Sequence, residues 1–188
     1  RADGAYLERT PSSAGNRRTW TLSAWIKPSV FAAKSIFSAH DNSTQNNSGW
    51  TWIGINSSNQ LQVGGWSTNW RVTNRLFRDV SSWYHIFVVL DTTQGTAGNR
   101  VKVYVNGVEE TSFATSNNPS ENEELAINST IEHQIGAVNY SNRNYWDGYV
   151  AEAYLLDGTA KSITAFGETD SETGQWIPKK TGFSSSEY

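Results

Sequence analysis

The chain has no cysteine and no methionine, only four prolines, and charged side chains make up just 18% of its 188 residues. Without cysteine there is no disulfide framework and no thiolate metal site, and the redox compartment stays open. No apolar run approaches the roughly 18 residues that a membrane-crossing helix needs, so membrane insertion is not expected. A net charge of −3 offers nothing to a polyanion, which argues against nucleic acid as a partner. No secretory signal pattern is legible. The chain begins at Arg1 and lacks methionine throughout, so we expect a fragment, a processed chain or one domain of a larger protein. Helical periodicity is missing as well, with residues 162–166 the single short candidate, and no repeat of fixed period is present.

What is there is aromatic and alternating. Aromatic residues make up 13% of the chain and nine of them are tryptophan. That is more indole than one small core needs, so some of it is expected at a surface, where tryptophan serves recognition. Residues 83–90 are rich in aromatic and β-branched side chains. Residues 100–106 then alternate, with Val101, Val103 and Val105 on one side and Lys102, Tyr104 and Asn106 on the other. Asn106-Gly107 predicts a type I′ hairpin, because both central residues of that turn need positive φ. A third strand, 108–113, should fold straight back. In 19–28, Trp20, Leu22, Ala24 and Ile26 form the core face, and Trp25 stands on the other. That other face is therefore either a concave groove or covered by a loop. Strands are also expected at 5–9, 34–40, 50–56, 60–65, 132–138 and 145–156. One domain of this length buries roughly 70% of its unfolded surface, enough for a core without staples.

Three segments carry a resemblance. WYHIFVVLD followed by NRVKVYVNGVE resembles the central hairpin of laminin-G-like, concanavalin A-like jelly-roll domains. WTLSAWIKP resembles their first core strand, and IG with WDGYVAEAYLLDG their closing strands. The wording YLERTPSSAGNRRTWT near the start and FGETDSETGQWIPK near the end is similar to the version found in structural (tail or capsid-associated) proteins of marine bacteriophages. The resemblance implies an all-β fold, a two-sheet antiparallel β-sandwich, over 1–166. It also implies that the first strand pairs near the last. Residues 167–188 read as an irregular C-terminal extension packed on it, through Trp176, Ile177 and Phe183. The fold hosts lectins, hydrolases and adhesion modules alike, so function rests on the site.

For catalysis the residues are in the wrong places. Glucanases of this fold line their cleft with alternating acids, and glycosidic chemistry needs two carboxylates roughly 5–9 Å apart. Glu121, Glu123 and Glu124 sit in a polar loop after Pro119. Asp147 and Glu152 are five apart in one strand, which points them to opposite sides. His133-Gln134-Ile135 reverses the order expected of an alginate-lyase-like strand. His85 shares a face with Trp83, Phe87 and Val89, as a hydrogen-bonded core histidine would. We expect no enzyme. Calcium is the one cofactor the resemblance suggests, with Asp3, Asp147 and Glu152 as its ligands; it would need six to eight oxygens.

Binding is the leading expectation. Sugars present apolar C–H faces to indole and phenol rings, and hydroxyls to Asn, Gln and Arg. Two loops carry that mix, 66–71 and 139–146. They nominate Trp66, Trp70 and Arg71, and Asn139, Tyr140, Asn142, Arg143, Tyr145 and Trp146, with Trp50 and Trp52 extending the platform. The partner would be a cell-surface glycan, in an extracellular setting or on a virion surface. The competing expectation is a purely structural virion protein that contacts other virion proteins or copies of itself. Sequons at Asn42, Asn46, Asn56, Asn128 and Asn139 would matter only in a eukaryotic secretory setting.

Overall fold

A computed structural model describes residues 4–140, 144–180 and 182–184. Fourteen strands dominate them: β1 (Leu7–Arg9), β2 (Thr19–Pro28), β3 (Lys34–His40), β4 (Trp50–Ile55), β5 (Gln60–Gly65), β6 (Asn69–Leu76), β7 (Tyr84–Asp91), β8 (Val101–Val105), β9 (Val108–Glu109), β10 (Phe113–Ser116), β11 (Glu132–Ile135), β12 (Gly148–Asp157), β13 (Gly167–Thr169) and β14 (Trp176–Pro178). They form a seven-stranded sheet, β1-β11-β3-β4-β5-β6-β10, a five-stranded sheet, β12-β2-β7-β8-β9, and a two-stranded pair, β13-β14. Every ladder is antiparallel. This is the expected all-β sandwich.

The alternation of β2 does what its sequence demands. Trp20, Leu22, Ala24 and Ile26 enter the inter-sheet core, where they meet Ile53, Ile55, Leu61 and Val63 of the large sheet and Val101, Val103 and Val105 of β8. At Asn106-Gly107 the φ values are 50° and 82°, as a type I′ turn requires. The Asn106 side-chain carbonyl also accepts the His85 backbone N–H at 2.8 Å.

Four expectations need correction. The strand after the hairpin lasts only through β9; the chain then crosses to the other sheet, and β10 pairs with β6. β1 pairs with β11 rather than with the last strand. Residues 69–71 are strand, not loop, since β6 begins at Asn69. The C-terminal stretch is not irregular throughout, because β13 and β14 pair within it.

The outer face of the five-stranded sheet is covered by that C-terminal stretch. Phe87, Leu156, Ile163 and Phe166 make a second apolar cluster there, joined by Tyr104, Tyr154, Trp176 and Phe183. Trp176 donates its indole N–H to His85 Nδ1 at 2.9 Å. His85 therefore carries its proton on Nε2, which lies 2.8 Å from Ser23 Oγ. Trp25 stacks on the same imidazole, 4.9 Å between centroids and 11° between planes. His85 is thus the hydrogen-bonded core histidine expected from its strand face, and burial lowers its pKa to about 4. Both alternatives for the Trp25 face hold in part: the later chain covers most of the ring, and a cleft that Trp25 helps to line remains beside that cover.

Candidate functional site

Antiparallel pairing sets His40 opposite Trp50, on the outer face of the seven-stranded sheet. Trp50 is the hub of a ring cluster there. His40 lies 4.1 Å away at 79°, Tyr140 5.3 Å at 89° and Trp66 5.6 Å at 78°. Trp66 and Tyr140 close the group at 6.3 Å and 90°. Edge-to-face contacts of this kind place positive ring edges on negative ring faces, worth about 0.5–1.5 kcal/mol per pair beyond burial. Trp50 and Trp66 are half-buried and Tyr140 is 49% exposed, so the cluster is braced from below and open above.

Three connections hold it. The β3 hydroxyls of Ser35 and Ser38 both donate to the Ala137 carbonyl, at 2.8 and 2.9 Å. His40 Nδ1 donates to the Asn139 carbonyl at 2.6 Å. Together they pin residues 137–140 to the sheet. On the other side, the Trp66 backbone N–H donates to Asn47 Oδ1 at 3.2 Å, and Asn47 Nδ2 donates to Glu123 at 2.9 Å. Asp41 orders the intervening loop: hydrogen bonds from the Thr44 hydroxyl and then from Ser43 hold its carboxyl at about 2. Burial lowers the His40 pKa, with the Asn139 carbonyl and the Asp41 charge pulling the other way.

The predicted platform is therefore only partly assembled. Trp50, Trp66 and Tyr140 come together, and His40, which sequence reasoning passed over, joins them. Its position opposite Trp50 follows from pairing β3 with β4 as a hairpin, so the signal was present. Asn139 contributes its carbonyl as the anchor for His40. Trp70 and Trp146 are instead core residues. Trp52 shares the outer face but is buried, 8% exposed. Arg71 is buried too, because its guanidinium is spent on backbone. It donates to the Trp70 carbonyl at 2.8 Å, Val101 O at 2.9 Å and Asn118 Oδ1 at 2.9 Å, and also to the Asn117 carbonyl. The Val101 bond ties β6 of one sheet to β8 of the other, and burial lowers the Arg71 pKa. Tyr145 lies elsewhere, against Tyr6 at 5.9 Å. Asn142 and Arg143 lie outside the described residues.

The acids are dispersed. Glu121 pairs with Arg100 at 3.3 Å, and Glu124 with Arg17 and Arg18 at 3.4 and 3.1 Å. Asp3 lies outside the described residues. Glu152 accepts from the Tyr154 hydroxyl. Among the described residues no three His, Asp or Glu side chains form a metal-holding group; the calcium set expected from the resemblance includes Asp3 and so reaches beyond them. No helix among them is long and apolar enough to cross a membrane.

A family model described as the concanavalin A-like lectin/glucanases superfamily matches residues 2–162. No curated protein matches the chain. Several solved structures are similar. A heptameric SAP-like pentraxin from Limulus polyphemus superposes with a TM-score of 0.56 at 21% identity, covering 80% of this chain and 68% of that one. Domain 4 of an extracellular arabinanase from Geobacillus stearothermophilus, solved with arabinotriose, gives 0.55 at 18%, covering 78% and 64%. The CBM40 of the Ruminococcus gnavus IT-sialidase, bound to α2,3-sialyllactose, gives 0.55 at 10%, covering 84% and 94%. At such identities the likeness is one of fold.

Proposed function

Because the chain belongs to the concanavalin A-like lectin/glucanases superfamily, we propose that it is a non-catalytic carbohydrate-binding module that offers the Trp50–Trp66–Tyr140 cluster to a cell-surface glycan. The observation that carries this is the convergence of three distant segments on one open aromatic surface, braced at its base by His40 and Asn139. Ring faces take the C–H side of a pyranose, and the Asn and Ser side chains of the adjoining loops take its hydroxyls. Sugar complexes of the arabinanase domain and of CBM40 support the reading by fold analogy. The dispersed, ion-paired acids support binding over hydrolysis.

The setting we propose is extracellular or a virion surface, with other virion proteins or copies of the chain as further partners. A glycan array tests the binding. Wild type should give a defined set of hits that Trp66→Ala/Tyr140→Ala loses while it still melts as a cooperatively folded protein. No hits, or undiminished hits by the double variant, would overturn the assignment. Trp70→Ala cannot serve as that test, since it truncates the core. The virion reading is separated by solution mass: a stable trimer favours a fibre or particle component, and a monomer favours a detachable module.

A further inference from the structure

The other sheet carries a deeper candidate. A cleft of about 580 Å³ lies on the outer side of the five-stranded sheet, between β2 and β12 on one side and the C-terminal hairpin on the other. Its size falls within the range of small-ligand sites, roughly 300–1,000 Å³. Three indoles line it, Trp25, Trp83 and Trp176. Trp25 and Trp176 lie near-parallel to the His85 ring between them, at 11° and 15°. Trp83 is 41% exposed and sits 6.4 Å from Tyr149, itself 65% exposed. The buried Trp25 and His85 rings back the cleft, and the more exposed Trp83 offers the ring face a pyranose uses.

The polar part of the wall sets the charge. Asn106 and Gln175 bring amides, and Glu152 is the one ionisable residue among the described residues that line the cleft. Glu152 has φ 48°, in the left-handed region that non-glycine strand residues seldom occupy. It stands in the bulge where β12 slips register against β2, between Ala151 and Tyr154. Bulges re-aim side chains, and backbone held in such a conformation collects at functional positions. The Tyr154 hydroxyl fixes the carboxylate there.

We propose that this cleft is a second saccharide site, selective for neutral or amino-bearing pyranosides over acidic ones. One wall, from Gln175 to Pro178, lies beyond the residues that match the superfamily. The site is thus an addition made by this chain's C-terminal segment. It stands on its own observations, independent of the large-sheet cluster.

The test is a printed array of neutral, amino-bearing and acidic oligosaccharides, probed with the full chain, with Trp83→Ala and with Trp66→Ala/Tyr140→Ala. The large-sheet variant should keep a subset of neutral or amino-bearing hits, and Trp83→Ala should weaken that subset by about tenfold or more. Trp83→Ala should melt within about 3 °C of wild type, since its side chain is largely outside the core. Glu152→Gln should reduce the preference for amino-bearing over neutral sugars. Loss of every hit in Trp66→Ala/Tyr140→Ala with none lost in Trp83→Ala overturns the cleft and leaves the large-sheet reading standing. The reverse pattern upholds the cleft alone. An array that is blank for wild type, or retained hits that are mainly acidic, overturns the proposal.

Discussion

The two sheets use their outward aromatics differently. On the seven-stranded sheet, Trp50, Trp66 and Tyr140 meet edge to face over the buried His40 and remain open above. On the five-stranded sheet, Trp25 and His85 stack, and the later chain folds over them and lays Trp176 nearly parallel to the imidazole. In both cases strand alternation sends large rings away from the inter-sheet core. What separates the two is whether another segment arrives to cover them. On the large sheet the bare rings are the surface, whereas on the small sheet the covering segment itself becomes one wall of a cleft.

The sharpest way to break this comparison is within one short stretch. Trp66 and Trp70 are four residues apart, yet Trp70 is fully buried. Trp70→Ala should cost about 4 kcal/mol, read as a collapsed denaturant midpoint. Trp66→Ala/Tyr140→Ala, which breaks ring pairs but leaves the core intact, should cost less, about 2 kcal/mol, while removing glycan binding.

Acid should attack the covered side first. The folded-state pKa of His85 is held near 4 against an unfolded value near 6.5. Between those values the unfolded chain binds more protons, so this stabilisation is complete above about pH 6.5 and is lost as pH falls towards 4. The loss is on the order of 3 kcal/mol. Burial of His40 and His133 also lowers their pKa values, adding to it in the same direction. Melting temperatures from pH 7 to pH 4 should fall, and His85→Gln should flatten part of that slope. An unchanged slope in the variant would show that His85 is not the main sensor.

A smaller effect sharpens the contrast further. Trp176→Phe keeps an aromatic ring but deletes the N–H that reaches His85. It should cost about 1–2 kcal/mol and raise the His85 pKa less than removing the whole C-terminal stretch would, as NMR titration of the imidazole can measure. We propose that residues 167–188 form a unit packed on a 1–166 jelly roll, and such a truncation tests that division directly.

Much of the fold was legible because period-two patterning reports which way a side chain points. β2, β8, the Asn106-Gly107 turn and the placement of His85 all follow from it. Patterning does not report what lies above a face. Trp52 alternates with the core residues Ile53 and Ile55 as expected, yet it is buried, and alternation alone does not foretell that. Arg71 reads as a surface cation, but its donors are consumed by carbonyls from residues distant in sequence. The crossing from β9 to β10 leaves no mark in alternation, and strands of three residues such as β13 and β14 are too short to show a period. Of the predicted platform, the members that survive are those whose covering segment is absent.

Position 107 shows how tightly such a cover can be coupled to the strand beneath it. Gly107 turns the hairpin with φ 82°, and a Cβ placed there would come within 2.5 Å of the Trp176 ring. The same missing methyl therefore bends one strand pair and gives the tail its berth. A Gly107→Ala change would strain the turn and evict the indole together, so the hairpin cannot drift in sequence without the terminus losing its mooring.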